Sequence, residues 1–83
     1  MKLLYFAWVR QKVGKSEETL ALPADVSTVR DLARHLRTRG PGYAEAFADP
    51  ARLRAAANLE HVGFDAPVGP DDEIAFFPPV TGG

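Results

Sequence analysis

Only one long stretch of this sequence carries a helical period, and strand-like runs lie on both sides of it. Thr28-Val29-Arg30-Asp31 has capping-box spacing, with a hydroxyl at the cap and an acid three residues on. Val29, Leu32, Ala33 and Leu36 then recur at helical spacing, an apolar stripe opposite Arg30, Arg34 and Arg37. Gly40, backed by Pro41 and Gly42, predicts the end of that helix. The 83 residues fit one domain with one core. A lone amphipathic helix among strands buries its stripe by crossing one face of a sheet.

The run of residues 2–10, rich in aromatic and aliphatic side chains, predicts the first strand. Period-2 alternation sends Leu3, Tyr5, Ala7 and Val9 to one face and Leu4, Phe6 and Trp8 to the other. Both faces are apolar, so one covers the core and the other is either covered or open as a patch. Residues 11–16, with Gly14, suit a hairpin connection, and residues 17–22 alternate until Pro23 stops them. Residues 43–49 read as a short helical turn packing Tyr43 and Phe47, closed by Pro50. Residues 54–58 and 62–64 read as short strands split by an Asn-containing bend, and 66–70 as loop. Residues 73–77 are the last strand, with Ile74 and Phe76 on one face and Ala75 and Phe77 on the other. The predicted class is α+β: a β-grasp (ubiquitin-like) arrangement in which a mixed sheet is crossed by one main helix. That helix supplies the crossover needed for parallel pairing of the first and last strands.

Composition narrows the chemistry. A formal net charge of −1 gives no basic footprint for nucleic acid and no membrane-surface patch. Without cysteine there is no disulfide framework, thiol nucleophile or thiolate metal site. The apolar run 3–9 is far shorter than the about 20 residues of a membrane helix. It has strand composition and no small-residue cleavage region after it, which argues against a signal peptide, so a cytoplasmic location is expected. His35, beside Arg34 and Arg37, reads as a solvated helix position; His61 suits either a partner contact or plain surface. Asp71-Asp72-Glu73, after Gly69-Pro70, reads as a solvated turn entering a strand. No phosphate loop, triad or repeat is present, and no bound cofactor or metal is expected.

Beyond Phe77 the sequence reads Pro78-Pro79-Val80-Thr81-Gly82-Gly83, which predicts a domain of residues 1–77 and an extended tail of residues 78–83. Pro78 cannot donate to a sheet ladder, so pairing stops there. Two prolines favour a stalk with little freedom to lose on docking. At about 3.3–3.6 Å per residue it reaches on the order of 20 Å. Its width falls toward Gly82 and Gly83, where bare backbone can approach a reactive centre closely. A carboxylate on Gly83 can be threaded into a slot in another protein and activated there as an acyl-adenylate. Sulfur then converts it to a thiocarboxylate, a nucleophile available to a chain without cysteine.

Residues 72–83, Asp72-Glu73-Ile74-Ala75-Phe76-Phe77 and the tail, resemble from end to end the terminal signature of the MoaD family, the small subunits of molybdopterin synthase. Leu4-Tyr5-Phe6-Ala7, Val9-Arg10, Val13-Gly14, Thr28-Val29-Arg30-Asp31-Leu32 and Ala56-Ala57-Asn58 add to the likeness, while residues 40–53 carry none of it. Ala57 departs from it, since relatives commonly have valine there. The resemblance implies a sulfur carrier, the sulfur-donating subunit of a sulfurtransferase with no catalytic side chains of its own. An E1-like adenylyltransferase would activate Gly83 with ATP, and a sulfur donor protein would supply the thiocarboxylate sulfur. The tail would then enter the large subunit of molybdopterin synthase and give sulfur to cyclic pyranopterin monophosphate. Two transfers build the dithiolene of molybdopterin, within a heterotetramer whose catalytic lysines belong to the large subunits.

Read from the residues themselves, Phe6 and Phe77 point to the sheet face not claimed by the core, with His61 alongside, unless the domain covers them. Phe6, His61, Phe77, Pro78, Pro79, Val80 and Thr81 are therefore the expected partner-binding residues. Two other uses of a Gly-Gly end stay open: a carrier for thiamine, cysteine or tRNA thiolation, and a modifier conjugated through Gly83 to lysines.

Overall fold

The alternation in the last strand is realised in full in a computed structural model, which describes residues 1–79. β1 (Lys2–Tyr5) leads through α1 (Ala7–Val13) to β2 (Glu17–Thr19). α2 (Val29–Arg37), α3 (Pro41–Ala46) and a 3₁₀ turn (Pro50–Arg52) follow, then β3 (Arg54–Ala57), β4 (Glu60–Val62) and β5 (Glu73–Phe77). The strands form one five-stranded sheet in the order β2-β1-β5-β3-β4. β1 and β5 run parallel at its centre, Leu3 opposite Ile74 and Tyr5 opposite Phe76. The other pairs are antiparallel. A mixed sheet with one main helix across it is the β-grasp fold, as the strand and helix pattern predicts.

The inner face of the sheet carries Leu3, Tyr5, Ala55, Ile74 and Phe76, all buried. Against it packs the α2 stripe of Val29, Leu32, Ala33 and Leu36. Phe47 enters the same core edge-on, its ring centroid 4.9 Å from Phe76 and 6.3 Å from Tyr5. The capping box forms as its spacing predicts: Thr28 Oγ1 accepts from the Asp31 amide, and the Asp31 carboxylate accepts from the Thr28 amide. α2 ends at Arg37 with Thr38 as its cap, ahead of Gly40. α3 opens on Pro41, where a missing N–H costs nothing, rather than at Tyr43. No helix among the described residues is long and apolar enough to cross a membrane.

Three expectations need correction. The first strand does not run to Arg10. It stops at Tyr5, because β1 continued past Phe6 would lie beside Pro78 and Pro79, which have no N–H to pair. Ala7 turns the chain at φ 54, and residues 7–13 coil into α1, which delivers Val9 to the core. The connection to β2 is thus a helix closed by Gly14 at φ 92, not a hairpin loop, and β2 itself ends at Thr19. The third correction moves the β3 partner from residues 62–64 to Glu60–Val62. Asn58 and Leu59, at φ 50 and φ 73, make a two-residue turn, so pairing resumes at once at Glu60. The chain beyond serves α2 instead: Phe64 O accepts from Arg30 N at 2.8 Å and Ala66 O from Val29 N at 3.0 Å. Those are amides a helix start leaves unpaired.

Candidate docking face and tail root

Every second residue of the central strands points away from the core, onto the outer face of the sheet. The register aligns one row across four strands there: Leu4 on β1, Ala75 on β5, Ala56 on β3 and His61 on β4. The two alanines at the middle of the row are short. Larger side chains around them stand higher, and a shallow apolar cleft of about 210 Å³ results. Phe6 and Phe77 close one end, and His61 and Leu59 form another edge.

Phe6 and Phe77 meet because the parallel ladder extends one step past β1, with Phe6 N donating to Phe76 O at 3.1 Å. Phe6 is 48% exposed, and Phe77 half-buried. The imidazole of His61 lies edge-on to Phe77, ring centroids 5.2 Å apart. The structure therefore brings together three residues picked from sequence, Phe6, His61 and Phe77, on one open face. Phe6 and His61 are open to solvent, whereas the domain covers Phe77 in part. Pro78 and Pro79 continue from Phe77 and are half-buried. Val80, Thr81, Gly82 and Gly83 lie outside the described residues.

Comparison with known proteins now bears on this geometry. The family model described as the ThiS family matches residues 3–83. The chain belongs to the ThiS family. Its relatives place it with the molybdopterin synthase sulfur carrier subunits. That of Escherichia coli (strain K12) is 45% identical over 83 residues, spanning 100% of this chain and 99% of that protein. The human protein of the same description is 30% identical over 86 residues, spanning 100% and 93%. Among solved structures, a putative molybdopterin converting factor subunit 1 from Pyrococcus furiosus superposes with a TM-score of 0.74 at 32% identity over 95% of each chain. SAMP1 from Haloferax volcanii, at 24% identity and a TM-score of 0.72, covers 100% of this chain and 98% of its own and shares the fold.

Two features of this ThiS-family chain escaped the sequence reading. Leu59 stands 87% exposed at the cleft's edge. Only the turn residue before it, Asn58, signals the hairpin. The second feature is framework. The Glu18 carboxylate accepts from the hydroxyls of Tyr5 and Tyr43, each at 2.7 Å, and pairs with Arg39 at 3.2 Å and Lys15 at 3.7 Å. Burial alone would raise the Glu18 carboxyl, but the two hydroxyls and two cations outweigh it and hold it below its ordinary value. Burial first, and then Glu18 itself, push both tyrosines up.

The acidic turn has a structural role. Asp72 accepts from Asn58 Nδ2 at 3.0 Å and Gly69 N at 2.8 Å, and these bonds hold its carboxyl below the usual range. His35 is half-buried on α2, on the far side of the sheet from the cleft.

Proposed function

We propose that this chain is the sulfur carrier of molybdopterin synthase, and that the carboxylate of Gly83 is its working group. One observation carries the reading: Phe77 both closes the apolar cleft and begins the proline stalk, so handle and tail meet at a single residue. A partner that grips the outer face of the sheet also holds the root of the tail. The family match running to Gly83, and the printed description of its relatives as sulfur carrier subunits, support the same reading.

The chemistry is borne by the tail and completed by partners in the cytoplasm. An E1-like adenylyltransferase lets the Gly83 carboxylate attack the α-phosphate of ATP, and pyrophosphate leaves. A sulfur donor protein supplies a sulfur nucleophile that displaces AMP from the acyl carbon and leaves the thiocarboxylate. The large subunit of molybdopterin synthase then takes the tail, and sulfur passes to cyclic pyranopterin monophosphate. Hydrolysis of the spent acyl group restores the carboxylate. The cleft residues Phe6, His61 and Phe77, with Pro78, Pro79, Val80 and Thr81, serve to hold and aim the tail. Gly82 gives the clearance that attack at the neighbouring acyl carbon requires.

The test is mass spectrometry of the chain after incubation with the activating enzyme, ATP and a sulfur source. The expected product is heavier by one oxygen replaced with sulfur, and it converts the pyranopterin precursor when mixed with the large subunit. Deleting Gly83 should abolish conversion and leave the melting temperature unchanged. Turnover retained by that deletion, or higher-mass protein conjugates in place of the thiocarboxylate, would overturn the reading.

A further inference from the structure

Leu59 occupies a position that neither the turn nor the core explains. As second residue of the β3–β4 turn it holds φ 73, a conformation that glycine or asparagine adopts readily and that crowds a leucine Cβ. Its side chain is 87% exposed, so it adds nothing to the buried core. Yet the turn that carries it is tied down. Asn58 N donates to Glu73 O at 2.8 Å, Asn58 Oδ1 accepts from Glu73 N at 3.0 Å, and Asn58 Nδ2 donates to Asp72 Oδ1 at 3.0 Å. An apolar side chain is thus held out in water on a fixed support, at the edge of the cleft that Phe77 closes.

We propose that Leu59 is a docking anchor, and that it enters an apolar socket on the large subunit of molybdopterin synthase. The inference rests on the sulfur-carrier reading and adds to it a residue and the chemistry of its receptor. Continuity selects the occupant. The tail departs from Phe77, Phe77 lines the cleft, and Leu59 lies on that same cleft, so a protein that accepts the tail covers this face. Of the two that do, the large subunit is the one implied by relatives described as synthase subunits. A leucine presented on a tethered turn loses little freedom on burial, which is what an anchor needs.

The position makes two readouts move in opposite directions. Leu59→Gly removes the crowding and should raise the melting temperature by a few degrees. Leu59→Asn, also at home in this conformation, should melt no lower than the parent chain. Both should bind the large subunit about tenfold more weakly in titration calorimetry, the loss expected from one leucine no longer buried. A residue with a merely structural role would not gain stability while losing affinity. Parent-like affinity in both variants, with Phe77→Ala weakened, overturns the assignment of Leu59 and leaves the docking face intact. If Phe77→Ala also binds normally, the docking face fails together with the anchor. Loss confined to the activating enzyme overturns the large subunit as the occupant.

Discussion

At the scale of single residues, Glu18 shows how a charge can be kept at the edge of a small core. Its side chain is only 10% exposed, a placement that disfavours the ionised form. Two tyrosine hydroxyls and two cations reverse that balance. A carboxyl held below its ordinary value of 4.5 contributes stability that is complete above that value. The contribution is lost as pH falls through the lower, folded value. Glu18→Gln should therefore be less stable than the parent at neutral pH, by about 1 kcal/mol. The gap should close as pH drops beneath 4.5, which thermal melts across an acid series will read. A constant gap at every pH would show that charge is not the cause. None of this was legible in the sequence, where Glu18 is one polar residue in an alternating strand. Its partners Arg39 and Tyr43 come from distant segments that only the fold brings near.

At the scale of elements, what could be read were the segments whose pattern admits one answer. α2 has a cap, a stripe and a polar face, and β5 alternates cleanly, so both were placed within a few residues. The β1–α1 boundary was illegible because residues 3–9 are apolar throughout, which satisfies both periods at once. Val9 and Val13 are spaced for a helix as well as for a strand, and alanine at φ 54 leaves no mark in a sequence. Gly42 likewise reads as turn punctuation after Pro41, but its role is clearance between helices. A Cβ on it would collide with the backbone oxygen of Lys12, near the end of α1. Gly42→Ala must drive α3 and α1 apart, at a cost of about 1–3 kcal/mol. We expect the melting temperature to fall by about 10 °C. An unchanged melt would mean that α3 can slide freely on α1.

For the whole molecule, the two faces of the sheet differ in kind. One face is filled by α2, Phe47 and the aliphatic core; the other holds short alanines among Phe6, Leu59, His61 and Phe77. With the outer face as the docking surface proposed above, stability and recognition should be separable by substitution. Phe77→Ala should lower affinity for the large subunit by tenfold or more, with the melting temperature shifted by only a few degrees. A large drop in stability with affinity preserved would assign Phe77 to the core instead. Alternation and the parallel pairing of β1 and β5 predict that Phe6 and Phe77 share a face, and so an aromatic patch; the cleft beside it depends on the short Ala56 and Ala75 side chains. The tip of the β3–β4 turn is not predicted, because which strand residues flank it depends on where pairing resumes.

The central placement of β5 also has a mechanical consequence. This strand is hydrogen-bonded to β1 on one side and β3 on the other, and Pro78 follows directly on its last residue, Phe77. A pull on the tail in line with β5 loads that strand lengthwise. Such a load falls in shear on both ladders together instead of peeling them open bond by bond. A tail carried on an edge strand would unzip its own domain under the same tug; here the tether should yield at the partner first, and the carrier comes away folded and ready for another round.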